Sequence, residues 1–338
     1  MSERPTSLRV AVVGAGLMGR WHADAVERVG GRIVAIVDPD SARGEALALR
    51  LASRPAVVRE LEAALRDQAT DVVHVCTPLP THESVVAAAL GAGAHVLVEK
   101  PLAAAAPTVE RLHAEAASRR LLLCPVHQFL FQPGILRAAR VLPALGAVRQ
   151  LDMVACSAGA DASSEAARES VALDILPHGL ALAGRLLGSP VAGVTWQVGG
   201  EGAGELRAMA QVGGASVMLA VSMRARPTET SLTLRCDLGT VRANLFHGYA
   251  TIERGSPSRV DKVSRPFVGS ALTLGAALEN LGRRAVSREP AYPGLRELVR
   301  RFHRACASRG ASPISVEESI DVARARDSIA AVRRRGID

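Results

Sequence analysis

Aromatic side chains are scarce, at 3% of the 338 residues. Base-stacking nucleic-acid binders draw on such rings, so the formal net charge of +8 and the pI near 10.0 read as solvated charge rather than a groove for DNA or RNA. The basic clusters agree with this, since Arg119-Arg120, Arg283-Arg284 and Arg333-Arg334-Arg335 fall beside helix ends and the C-terminus. The five cysteines, Cys76, Cys124, Cys156, Cys236 and Cys306, lie far apart and form no CxxC pair, so neither a zinc site nor a disulfide framework is expected. An odd count, with a short polar start (Met1-Ser2-Glu3-Arg4-Pro5) in place of a leader, points to a reducing, cytoplasmic setting. None of the nine histidines falls in an HExxH pattern, and no acidic cluster calls for a metal. No apolar run is long enough for a membrane span, and no membrane association is expected.

What is present is alternation. The β-branched run Leu8–Val13 stops at a glycine loop, a helical stretch follows from Leu17 to Val29, and a second apolar run, Ile33–Val37, ends at Asp38. Ser41 to Leu51 and Glu60 to Asp67 read as helices, Asp71 to Thr77 as a strand stopped by Pro78, and His82 to Leu90 as a helix. Strand His95–Val98, helix Pro107–Arg119 and strand Leu121–Cys124 complete the first half. Apolar strands separated by amphipathic helices predict a parallel sheet covered on both faces. The length predicts two domains, with the boundary separating residues 1–125 from 126–338.

The loop Gly14-Ala15-Gly16-Leu17-Met18-Gly19 follows a strand and opens a helix, the setting a GxGxxG motif requires. Gly14 permits the tight turn, Gly16 removes the side chain that would block a pyrophosphate, and Gly19 lets the helix sit close to the sheet. Leu17 and Met18 start the helix whose free N–H groups face the phosphates. Asp38 stands where a carboxylate accepts hydrogen bonds from the adenosine ribose and repels a 2′-phosphate, so NAD is favoured over NADP, with Arg43 nearby to soften that preference. The alternative for Asp38 is an ordinary helix cap.

From the glycine loop through Thr77-Pro78-Leu79-Pro80-Thr81-His82, Gly91 to Val98, Glu99-Lys100-Pro101 and the later Asp174-Ile175-Leu176-Pro177-His178, the chain resembles the Gfo/Idh/MocA oxidoreductase family. The resemblance implies a Rossmann domain followed by an α+β domain with an open, mostly antiparallel sheet. The β-rich runs between Val148 and Tyr249 are compatible with that sheet. It also implies a homodimer or homotetramer, a small-molecule substrate, and a C-terminal helix, Val316 to Arg333, that returns to the first domain. Thr77 and Pro78 are then expected at the nicotinamide-side ribose, with His82 packing or hydrogen-bonding there and Glu99 as a further cofactor contact.

Lys100, after a strand at its C-terminal end, suits an ammonium that hydrogen-bonds both cofactor and the reacting oxygen. Asp174 and His178, four apart, share a helix face and suit a proton relay through the imidazole. Pro177 is expected in the first turn of a helix running into Leu180, leaving Asp174 near its start; an N-cap and a structural histidine are the plainer alternatives. His127, Gln128 and Phe129 are the candidate substrate contacts. Asn244, His247 and Tyr249 are polar candidates whose structural reading is preferred, because strand register cannot be read from one sequence.

Phe129-Leu130 stands where many relatives carry paired arginines, and Ala181 where many carry another aspartate, so a less hydroxylated or partly apolar substrate is expected. The expected activity is NAD(P)-dependent hydride transfer at a secondary alcohol or ketone carbon of a sugar-derived or specialised metabolite. The alternatives are an internal-redox hydrolase, isomerase or epimerase, and a non-catalytic dinucleotide-binding regulator.

Overall fold

The computed structural model describes residues 7–157, 164–255, 258–289 and 291–335; the polar start Met1–Pro5 lies outside them. The chain divides into two compact units, Met1–His127 with Leu295–Ala323, and Gln128–Gly294 with Arg324–Asp338.

In the first unit strands and helices alternate in the order β1 (Arg9–Val13), α1 (Leu17–Arg28), β2 (Arg32–Val37), α2 (Ser41–Ala48), β3 (Ala56–Val58), α3 (Leu61–Asp67), β4 (Val72–Val75), α4 (His82–Gly91), β5 (His95–Val98), α5 (Ala106–Ser118) and β6 (Leu123–Pro125). The six strands form one parallel sheet ordered β3-β2-β1-β4-β5-β6. All four residues of β4 are buried, which is why this strand shows no polar alternation. The core is built largely from compact aliphatic side chains, among them Val13, Val37, Val73, Val75 and Val96, with Leu90 and Leu112 from the helices. The strand β3 was not expected. Three residues are too few to show a period, and β3 forms by pairing with the outer side of β2. At β1 the strand order reverses, and in open α/β sheets ligands bind in the crevice beyond the carboxyl ends of the strands at such a switch.

The second unit contains α6 (Pro133–Val141), β7 (Val148–Cys156), α7 (Glu165–Leu187), β8 (Gln197–Gly199), β9 (Glu205–Val212), β10 (Ala215–Ser222), β11 (Glu229–Cys236), β12 (Gly239–Asn244), β13 (Tyr249–Arg254) and α8 (Arg259–Ser287). Its seven strands form a sheet ordered β13-β12-β11-β7-β10-β9-β8, antiparallel except where β7 meets β10. Two helices complete the chain, α9 (Leu295–Ser308) and α10 (Val316–Arg335). All of α9, and α10 as far as Ala323, belong to the first unit.

The helix α7 corrects one expectation. It is continuous across Pro177 and starts at Ser164, whose Oγ accepts a hydrogen bond from the Ala167 N–H at 3.2 Å. Asp174 therefore sits mid-helix rather than near a start, and it is not the cap. Proline in a helix interior costs about 3 kcal/mol; here Leu176, Pro177, Leu180, Leu182 and Ala183 are all buried on a helix lying against β7, β9 and β10, and that burial offsets the missing hydrogen bond. By length and composition α7 would pass for a membrane span, contrary to the expectation that no run is long enough; 50% of its most apolar window is buried within the protein.

The end of α10 is tied down by Arg333, which is buried and donates to both carboxylate oxygens of Glu169, at 3.0 and 3.4 Å, and to the carbonyls of Gly200 and Gly202. Burial works against the charge of Glu169, but the hydrogen bonds from Arg333 and from the Gly204 N–H outweigh it and hold the carboxyl below its usual pKa. A depressed folded-state pKa contributes stability that is present above the unfolded value and lost as pH falls through the folded one. Arg333→Ala is expected to cost about 3 kcal/mol in urea unfolding at pH 7, and the gap between variant and parent should shrink by pH 3. A gap unchanged between the two pH values would show that the pair contributes nothing through its charge.

Candidate functional site

The carboxyl edge of the first sheet collects the predicted cofactor residues. Gly14 has φ +94° and donates its N–H to the Val37 carbonyl at 2.8 Å, and a Cβ at Gly14 would lie 2.8 Å from the Cys76 carbonyl oxygen. At Gly19 a Cβ would fall 1.7 Å from the Gly14 carbonyl oxygen, so the loop and α1 can close only with glycine. Gly16 is the opposite case: nothing lies within 4 Å of where its Cβ would be. Gly16 is also the N-cap of α1, with no side-chain cap and no acid in the first turn, so the first N–H groups and the positive end of the helix dipole are left for a ligand. Leu17 is 62% exposed beside this opening. An open cradle lined by backbone N–H groups fits a pyrophosphate.

Asp38 follows β2 and is buried. Its Oδ2 accepts from the Ala15 N–H at 2.8 Å and its Oδ1 from the Asp40 N–H at 2.9 Å. The helix cap of α2 is Asp40, which accepts from the Arg43 N–H, so the capping alternative for Asp38 does not apply. Asp38 thus braces the glycine loop from the end of β2. Arg43 points to solvent, 3.7 Å from Asp40.

Beyond β4, the Thr77 hydroxyl oxygen is buried without a hydrogen-bond partner among the described residues, as a position awaiting a ligand hydroxyl would be. Pro78 beside it is exposed. His82, the first residue of α4, places Nε2 2.8 Å from the Thr77 carbonyl and Nδ1 2.9 Å from the Pro101 carbonyl, and so joins the turns after β4 and β5. Glu99 and Lys100 follow β5. The Glu99 Oε2 accepts from the Lys100 N–H at 3.2 Å, while its Oε1 lies 3.1 Å from Nε2 of His22, toward the interior of the unit. Lys100 is half-buried. It is one of two lysines in a chain with 39 arginines. Where arginine supplies nearly every other cation, a lysine marks a place for a compact point charge with rotatable donors. His127, after β6, is buried.

In the second unit, Gln128 and Phe129 open a 3-10 turn, Gln128–Phe131. The Phe129 ring stacks on the His178 imidazole with centroids 4.2 Å apart and planes 24° apart. Leu130 is buried and offers no surface to a ligand, so of the two residues standing in place of the arginine pair only Phe129 is available. Gln128 is buried, and its Oε1 has no hydrogen-bond partner among the described residues. His178 is buried on α7 and Asp174 is half-buried one turn before it. Asn244 and His247 serve the β12–β13 turn, where Asn244 Oδ1 accepts from the His247 N–H at 2.9 Å, and Tyr249 begins β13. Among the described residues no group of three or more His, Cys, Asp or Glu is arranged to hold a metal ion.

Residues 8–127 match the family model of Gfo/Idh/MocA, described as an oxidoreductase family with an NAD-binding Rossmann fold. Over this domain the chain is similar to the Gfo/Idh/MocA family. It is similar to inositol 2-dehydrogenase 1 of Saccharopolyspora erythraea, 35% identical over 153 residues, 44% of this chain and 45% of that one. The match thus spans under half of that relative. Two solved structures extend the likeness of fold to nearly the whole chain. One is levoglucosan dehydrogenase in complex with NADH and levoglucosan, with TM-score 0.78 and 17% identity over 98% of both chains. The other is a 3-ketoreductase from Actinomadura kijaniata in complex with NADP, with TM-score 0.74 and 22% identity over 96% of this chain and 97% of that one.

Within the first unit the structure also joins residues that the sequence did not reveal. His22 on α1, His74 on β4 and His303 on α9 are buried in contact with one another. One signal was legible, a histidine inside the otherwise apolar Val72-Val73-His74-Val75, since a fully buried strand position holds a polar ring only if it has partners. The partners themselves, 52 and 229 residues away, carry no mark in the sequence.

Proposed function

We propose that this protein is a nicotinamide-dependent oxidoreductase acting on a secondary alcohol or the corresponding ketone. The observation that carries the reading is the open glycine cradle at the start of α1, with Glu99-Lys100 at the same edge of the sheet. Gly14, Gly16 and Gly19 would hold the pyrophosphate, Asp38 the adenosine ribose, and Thr77 with Pro78 the second ribose. When bound, the nicotinamide supplies or accepts the hydride. Lys100 holds the reacting oxygen and stabilises the negative charge that develops on it. His178, its ring fixed by Phe129, exchanges the hydroxyl proton, and Asp174 one turn earlier on α7 orients the imidazole.

The name of the Saccharopolyspora relative supports a polyol-like substrate, while the Phe129 ring favours one with an apolar face, so a deoxygenated or otherwise partly apolar sugar derivative fits both. The carboxylate of Asp38 favours NAD over NADP. Self-association is supported by α8, where Val263, Phe267, Leu274, Leu278 and Leu281 are each at least 59% exposed. All five cysteines are free thiols, which suits a reducing cytoplasm.

The test is absorbance at 340 nm with NAD or NADP against inositols, hexoses, deoxysugars and nucleotide sugars. Net NADH formation, with a deoxysugar or nucleotide sugar preferred, is the expected result; efficient turnover of simple polyols alone would sink the apolar-substrate reading. Asp38→Ala should weaken NAD binding about tenfold, through loss of a hydrogen bond to the adenosine ribose, and leave NADP binding less affected. An equal loss for both cofactors would remove Asp38 from the basis of the preference.

A further inference from the structure

Three imidazoles and a carboxylate form an unbroken buried file through the first unit. The Nε2 of His303 lies 3.0 Å from Nε2 of His74, Nδ1 of His74 lies 3.0 Å from Nδ1 of His22, and Nε2 of His22 lies 3.1 Å from Oε1 of Glu99. The rings meet edge to face, at 69° and 90°. His22 and His74 are 0% exposed, whereas His303 is 7% exposed and stands at the outer end on α9.

Hydrogen-bond chemistry leaves such a file few choices. A neutral imidazole has one donor nitrogen and one acceptor, and a carboxylate only accepts. With Glu99 ionised, His22 must donate from Nε2, His74 from Nδ1 and His303 from Nε2, every donor aimed toward Glu99. With Glu99 neutral and its proton on Oε1, every bond runs the other way, and the outermost proton sits on Nδ1 of His303. The two arrangements differ by one proton and both satisfy every contact in the file.

Burial, reinforced by the neighbouring imidazoles, pushes His74 well below the usual histidine value. Burial first and His22 second push His303 down to about 4, so both rings are neutral near pH 7. Cys76 also acts on the inner end; burial first and the Glu99 charge second push its thiol up, so it keeps its proton.

We propose that His303, His74 and His22 are a proton relay between the α9 side of the first unit and Glu99, the residue beside Lys100. Uptake of one proton at Nδ1 of His303 breaks the Nε2–H bond there and forms one at Nε2 of His74. The Nδ1–H bond of His74 then breaks and one forms at Nδ1 of His22; last, the Nε2–H bond of His22 breaks and an O–H bond forms at Glu99. No other reactant is needed. The relay gives Glu99 a way to gain or lose a proton although its carboxylate is nearly closed to water, so the charge beside Lys100 can follow the proton that accompanies each hydride. That use rests on the oxidoreductase reading; the relay itself does not.

The test needs neither cofactor nor substrate. In 15N-histidine-labelled protein at pH 7, nitrogen–proton correlation spectra should show His74 and His22 as opposite tautomers, one Nδ1–H and the other Nε2–H, as either arrangement requires. The His22 ring proton should exchange with solvent faster than the backbone N–H groups of Val73 and Val75 on β4. In His303→Leu that ring exchange should slow by about tenfold or more while the β4 amides are unchanged, which separates relay from local opening. The same tautomer at His22 and His74, or ring exchange no faster than the β4 amides in the unaltered protein, would overturn the proposal whether or not the variant folds. If these results hold and the protein reduces no cofactor with any substrate, the oxidoreductase reading fails alone.

Discussion

Gly19→Ala is expected to abolish dinucleotide binding and to unfold the first unit at lower temperature. A methyl group there would sit 1.7 Å from the Gly14 carbonyl oxygen, far inside van der Waals contact. The obstacle is backbone, so no side-chain rotation relieves it; either α1 moves off β1 or the loop opens. Overpacking of this kind costs about 3 kcal/mol or more, which for a unit of this size lowers Tm by about 6–12 °C. The loop carries the cradle N–H groups and is braced by the 2.8 Å bond from the Ala15 N–H to Asp38, so it cannot shift without losing both. NAD affinity measured by calorimetry should fall at least about a hundredfold, the equivalent of about 2.7 kcal/mol. Gly16→Ala is the informative companion, because its Cβ enters empty space: it should fold normally and lose affinity alone. Unchanged NAD binding in both variants would mean that the loop is a structural turn and the dinucleotide binds elsewhere.

Lys100→Met should lower turnover by about a thousandfold, through loss of the donor that stabilises the developing oxyanion. Methionine has a similar length and apolar stem, so the half-buried position stays filled and NAD affinity should change little. Lys100→Arg separates the two contributions. These are charge and placement: a guanidinium restores the positive charge but spreads it over a wider planar fork, so a variant that keeps cofactor affinity without recovering turnover assigns the loss to placement of a compact donor at the oxygen. Full turnover in Lys100→Met would remove the residue from the chemistry and return it to a surface role.

Sequence and structure agree most closely where function and local geometry coincide. The glycine loop, Asp38 and Glu99-Lys100 each lie at the carboxyl end of a strand whose apolar run is visible by eye, and the parallel sheet follows from alternation alone. Agreement is weaker where tertiary contacts overrule local rules. Pro177 argues locally for a helix start, but burial of its neighbours against β7, β9 and β10 carries α7 straight through it, and β3 exists only because β2 has an edge to pair. Phe129 and Leu130 read alike in sequence, as apolar area in place of two cations, and only burial separates the one that can meet a ligand from the one that cannot.

Local order therefore settled which residues end each strand, because strand, turn and helix preferences act over a few neighbouring positions. Long-range pairing was decided by the folded chain. Residues 22, 74, 99 and 303 come together because α1, β4, β5 and α9 pack into one unit, and hydrogen bonds between buried rings depend on distances that no linear spacing encodes. The same holds for the stack of Phe129 on His178, through which an apolar ring in place of a cation fixes the imidazole proposed to exchange the substrate proton.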